Sequence, residues 1–233
     1  MAVPKRILIV DDDPDVHGLL RATLDAPDRH IESAYDGSSG LQLVESTPYD
    51  LVLTDLNMPG LDGMTLLERI REVQPETPVV VMTVANTPEN IVRAIRERAF
   101  SYFSKPFTVN AVTEMVERAL SGSGAEDDIQ VLSARPQWLG LRVRCKIETA
   151  SRIVQFIREL GMDLTPTEQE QVTTAFREIL LNAIEHGAGS DPGKGFSFEH
   201  LEHAAVSNPQ DSPVVHAEIR EKLGMRPGGD YPP

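Results

Sequence analysis

ILIVDDD, residues 7–13, reads as a strand that runs straight into acids. Its four apolar residues are continuous and mostly β-branched. That is the pattern of a parallel strand buried on both faces, not the alternation of a half-exposed one. The pattern returns at LVLT (51–54) and VVVMT (79–83), and weaker strands are expected at 31–34 and 101–103. Amphipathic stretches lie between these runs. Asp13 stands before Pro14, a capping acid ahead of a first-turn proline. Further helices are expected after Asp36 and Gly37, over 64–72, from Thr87–Pro88 onward, and over 109–120 with Val112, Met115, Val116 and Ala119 on one face. Five strand–helix repeats predict an α/β fold, a doubly wound, five-stranded parallel sheet with right-handed crossovers.

The chain has 233 residues and a formal net charge of −14. Two modest domains fit this length. Such a surface repels nucleic-acid phosphates, and no basic run of five to eight residues counters it, so no nucleic-acid partner is expected. One cysteine, Cys145, excludes an intramolecular disulfide and fits a reducing compartment. No apolar run approaches the roughly 18 residues of a membrane span. The first apolar stretch leads into acids, as a strand does and a signal peptide does not. The expectation is a cytoplasmic protein with no membrane partner. SGSG (121–124) and the acids that follow read as a linker. The expected division is a domain over 1–120, a linker over 121–128 and a second domain over 129–233.

In a doubly wound sheet, ligands bind beyond the carboxyl ends of the strands. The residues there are Asp11 and Asp12, Asp55, Thr83, and Lys105 followed by Pro106. Each has a bland reading alone: a solvated acidic loop, a capping hydroxyl, a surface lysine. Together they bring three carboxylates, a hydroxyl and an ammonium to one edge. Two unit charges 4 Å apart interact by roughly 4 kcal/mol at an effective dielectric of 20, so the carboxylates call for a cation. Oxygen-only ligands favour a hard ion such as Mg²⁺. A carboxylate nucleophile among neutralising groups is what phosphoryl transfer needs.

ILIVDDD, LVLTDLNMPGLDGM, VVVMT and YFSKPF, in this order, resemble the receiver domain of bacterial response regulators. The resemblance implies a flavodoxin-like receiver over about the first 120 residues. It implies that Asp55 accepts the phosphoryl group and that Asp11, Asp12, Asp55 and the backbone carbonyl of Asn57 hold Mg²⁺. Thr83 and Lys105 would bind the phosphoryl oxygens, the Lys105–Pro106 bond would be cis, and Tyr102 would be the aromatic that turns inward on activation. A structural tyrosine is the other reading of Tyr102. The implied partner is a sensor histidine kinase or phosphotransfer protein. Val84 and Arg98 depart from the pattern: Val84 is expected to narrow access to Asp55, and Arg98 stands where a glycine would cap the fourth helix.

The second half predicts a strand at 141–147 and helices at 149–160 and 166–186. Beyond residue 187 the pattern fails, and a poorly ordered tail is expected. Glu178 and Asn182 lie one turn apart, which by spacing alone is a polar stripe on a helix. AFREILLNAIEHGAG, however, resembles the asparagine box of the histidine-kinase-like ATPases, most closely the anti-sigma-factor serine kinases. There Asn182 would bind the Mg²⁺ of Mg-ATP and Glu178 would act as base. DPGKGF, with Asp191, Gly193 and Gly195, resembles the next box. About four residues separate the two boxes, too few for the strands such a domain places there, so a truncated ATPase-like domain is expected. The leading functional reading is a response regulator in a phosphorelay, its receiver switching a module that binds an anti-sigma or anti-anti-sigma type partner. The alternatives are a phosphorylation-gated serine kinase using ATP and a DNA-binding regulator.

Overall fold

A computed structural model describes residues 3–84, 86–121, 129–135, 138–144, 146–159, 165–184 and 195–199. The chain divides into two compact units, 1–127 and 128–233.

In the first unit, strands β1 (Lys5–Val10), β2 (Arg29–Ala34), β3 (Leu51–Asp55), β4 (Val79–Thr83) and β5 (Ser101–Ser104) alternate with five helices. These are α1 (Pro14–Leu24), α2 (Gly37–Ser46), α3 (Gly63–Val73), α4 (Pro88–Arg96) and α5 (Val109–Leu120). Every strand pair is parallel and the order is β2-β1-β3-β4-β5. This five-strand parallel α/β sheet is the flavodoxin-like arrangement of receiver domains. The central strands are continuous apolar runs because both faces are covered: β3 and β4 are buried throughout. Ile7, Ile9, Leu53, Leu20 and Val116 are fully buried in one core, each contributing about 1.5–3 kcal/mol by leaving water.

Helix starts follow local chemistry. Asp13, Asp36, Asp62, Thr87 and Thr108 each accept a backbone N–H of the first turn and so satisfy a donor that has no partner within the helix. The end of α4 is less ordinary. Arg98 takes φ 58°, the left-handed conformation usual for glycine. Its carbonyl accepts from Arg71 Nη2 at 2.8 Å, while Arg71 Nη1 donates to the carbonyls of Pro75 (3.0 Å) and Thr77 (2.6 Å). One guanidinium thus ties the ends of α3 and α4 together.

In the second unit, β6 (Ile129–Arg135) and β7 (Trp138–Arg144) form an antiparallel pair with an irregularity between Val131 and Ser133. Helices α6 (Ile147–Glu159) and α7 (Pro166–Asn182) pack together, burying Ile153, Phe156, Ile157 and Leu180. β8 (Gly195–Glu199) joins the other side of β7, antiparallel. Three expectations are corrected here. β6 occupies residues with no predicted strand, and β7 starts and ends three residues before the predicted 141–147. Residues 195–199, placed by sequence in a patternless tail, form a strand, because β7 offers them an unpaired edge and its backbone groups need partners. The remaining tail, 200–233, lies outside the described residues.

Candidate functional site

The carboxyl ends of β1 and β3 and the residues after β5 meet at one place. Asp11, Asp12 and Asp55 each present a carboxylate oxygen within 4.8 Å of the others. Asp11 is fully buried, Asp55 is 5% exposed and Asp12 is exposed. Lys105 Nζ bridges two of them, donating to Asp11 Oδ2 at 2.7 Å and Asp55 Oδ2 at 2.9 Å. Lys105 N–H donates to the Thr83 carbonyl (2.8 Å), which holds the base of the bridge in place; the Lys105–Pro106 peptide is cis. Asp11 Oδ1 accepts the Asp13 N–H at 3.0 Å.

Charge follows burial. Loss of water pushes the Asp11 carboxyl above its usual range, against the opposite pull of Lys105 and the Asp13 N–H. Burial also works against the Lys105 ammonium, but its bonds to Asp11 and Asp55 outweigh this and hold it above its ordinary value. The lysine is therefore charged, and it is the cation that lets two buried carboxylates stand side by side.

Other expected site residues take different places. Asn57 is exposed, its N–H 3.4 Å from Asp55 Oδ1 and its Nδ2 3.4 Å from Thr83 Oγ1. Thr83 ends β4, fully buried. Tyr102 is fully buried on β5, opposite Val81. Val84 is 73% exposed. Glu178 and Asn182 are both exposed on α7, whereas Gly195 is the first residue of β8, paired with Arg144. Asp191 and Gly193 lie outside the described residues. His17, which sequence did not single out, is buried directly behind Asp11; a lone histidine on an apolar helix face carried no cue.

The parallel sheet, with acids and a lysine at its carboxyl edge, defines a receiver-type α/β domain. Residues 7–117 match the response regulator receiver domain family. This part of the chain is the receiver domain of a response regulator in two-component signalling. The chain is 34% identical over 125 residues to the transcriptional regulatory protein GlrR of Escherichia coli, covering 54% of this chain and 28% of GlrR. It is 33% identical over 115 residues to the DNA-binding transcriptional regulator NtrC of Escherichia coli, covering 49% and 24%. The matches thus span about a quarter of the length of these relatives. Among solved structures, the signal receiver domain of an HD domain-containing protein from Pseudomonas fluorescens is 30% identical, with 51% of this chain and 95% of that one covered and a TM-score of 0.49. No helix of the described residues is long and apolar enough to cross a membrane.

Receiver domains bind Mg²⁺ in an acidic pocket, and the donors here suit it. All are carboxylate oxygens, and their spread is close to the roughly 4 Å between opposite ligands of an octahedral ion with bonds of about 2.1 Å.

Proposed function

We propose that Asp55 is the phosphoacceptor of this receiver, and that its modification switches the second unit as a partner-binding output module. The observation that carries this is the Lys105 ammonium bridging Asp11 and Asp55, with Asp12 beside them. An oxygen of the Asp55 carboxylate attacks the phosphorus of a phosphohistidine or an acyl phosphate. A P–O bond forms, the bond to the donor breaks, and the leaving group keeps the electron pair. Lys105 then exchanges a carboxylate for a phosphoryl oxygen, and the Thr83 hydroxyl donates to another. Mg²⁺, held by Asp11, Asp12, Asp55 and the Asn57 carbonyl, would neutralise charge on the transferring group. The product carries about −1.5 to −2 charges at a carboxylate that carried −1. Movement of Thr83 toward it opens space beside β5, where Tyr102 lies, and reshapes the surface of α4, β5 and α5.

The phosphoryl donor is a sensor histidine kinase or phosphotransfer protein. Two compact units fit a switch with a separate output. For that output we favour protein binding. A net charge of −14 opposes a DNA backbone, and the DNA binding in NtrC's name is said of a protein matched over a quarter of its length. An ATP-using output would draw on Glu178 and Asn182, the two box residues exposed on one helix.

The test is acetyl phosphate with MgCl₂ and an intact-mass readout. Wild type gains one phosphoryl mass and Asp55→Asn gains none. Equal labelling of Asp55→Asn, or an unlabelled wild type, sinks the assignment.

A further inference from the structure

The Asp11 carboxylate serves the site, but its backbone carbonyl points into the domain, 2.8 Å from His17 Nε2. His17 lies on α1 and is 2% exposed. Its Nδ1 is 2.9 Å from Ser33 Oγ on β2. Arg21, one turn further along α1, brings Nε and Nη2 to 3.1 and 3.0 Å from the same oxygen. A guanidinium only donates, so Ser33 Oγ accepts from it and turns its single O–H to His17 Nδ1. Nδ1 is therefore the acceptor, and the ring N–H sits on Nε2, aimed at the Asp11 carbonyl. The chain of donors runs from Arg21 through Ser33 and His17 to Asp11. The ring of Tyr35 covers the imidazole, with centroids 4.4 Å apart.

On its other side, Asp11 N–H donates to the Ala34 carbonyl at 3.1 Å. Both peptide groups flanking the Asp11 Cα are thus anchored. The carbonyl held by His17 lies in one rigid plane with the N–H of Asp12, so holding it sets the direction of both acids. An apolar side chain would fill this space equally well, but it would leave a buried carbonyl without a donor.

We propose that His17 is a positioning residue for the divalent-cation site, fixing the peptide between Asp11 and Asp12 so that their carboxylates converge with Asp55. This rests on the receiver-site reading above. The test is calorimetric titration of the full-length chain with MgCl₂, for wild type, His17→Leu, His17→Gln and Ser33→Ala, with each protein also melted in EDTA. His17→Leu is expected to weaken Mg²⁺ binding about 10–100-fold, the usual cost of losing a partner that orients a ligand. His17→Gln keeps near-wild-type affinity, since its amide nitrogen takes the place of Nε2 and still donates. A purely structural role would lower the EDTA melting temperature and leave Mg²⁺ affinity unchanged, and that result overturns the proposal. So does equal weakening in His17→Gln and His17→Leu. If His17→Leu does not fold, Ser33→Ala decides: weaker Mg²⁺ binding supports the proposal and unchanged affinity overturns it. A wild type that binds no Mg²⁺ removes the site reading itself, and the proposal with it. A wild type that binds while all variants match it removes the proposal alone.

Discussion

Gly63 begins α3 with its N–H on the Leu56 carbonyl at 3.1 Å, and the backbone of Asp55 passes directly beside it. A Cβ at Gly63 would sit 1.8 Å from the Asp55 carbonyl oxygen, 2.8 Å from its carbon and 3.0 Å from Leu56 Cα. Real Cβ contacts do not fall below 3.0 Å, so Gly63→Ala must open a further 1.2 Å or more. The obstacle is backbone, which cannot swing aside as a side chain can. Overpacking of this kind costs about 1–3 kcal/mol. The larger effect is on chemistry. The atoms that must yield belong to Asp55, the proposed phosphoacceptor, and a misplacement of about 1 Å costs on the order of 100-fold in rate. The assay is the rate of labelling by acetyl phosphate at saturating Mg²⁺, alongside a urea melt. Gly18→Ala is the control, since its Cβ meets nothing within 4 Å at an exposed position on α1. There alanine should gain up to about 1 kcal/mol of helix stability and leave the labelling rate alone. A Gly63→Ala protein that labels at the wild-type rate with an unmoved urea midpoint would refute the close-approach argument.

Arg98→Gly should stabilise the receiver by about 1 kcal/mol, because glycine takes φ 58° without the Cβ clash that arginine bears; a urea midpoint that stays put or falls counts against this. Asp50 accepts from Lys5 Nζ and the Arg6 N–H, each at 2.8 Å. Burial acts to raise its carboxyl, but Lys5 and Arg6 prevail and hold it below the usual range. A depressed carboxyl adds stability that is present above the unfolded-state value, about 3.9, and is lost as pH falls through the folded one. Asp50→Asn should therefore flatten the acid limb of stability against pH, and urea midpoints that trace the wild-type curve would reject the assignment.

The receiver was legible because its two signals agree. Both-face burial makes β1, β3 and β4 continuous apolar runs, and Asp13 and Thr87 stand where α1 and α4 begin. The edge strands were blurrier: β2 starts two residues before the predicted 31–34, since its outer face is only partly covered and Arg29 and His30 can belong to it. The convergence of Asp11, Asp12, Asp55 and Lys105 followed from topology, because strand ends in a parallel sheet share one edge. The His17 relay did not, since its partners come from a helix face, a neighbouring strand and a carbonyl that sequence does not display. In the second unit β6 was hidden by its irregularity at Val131–Ser133, and β8 by glycines that read as punctuation rather than as the start of a strand.

The ammonium of Lys105 joins acids 94 and 50 positions earlier in the chain. A polypeptide emerging from the ribosome therefore exposes Asp55 long before the lysine that completes its pocket has been synthesised. Until the fifth strand docks, the carboxylates of Asp11 and Asp55 lack the ammonium that bridges them. The bridged acidic pocket is thereby a property of the finished domain and of no shorter N-terminal piece.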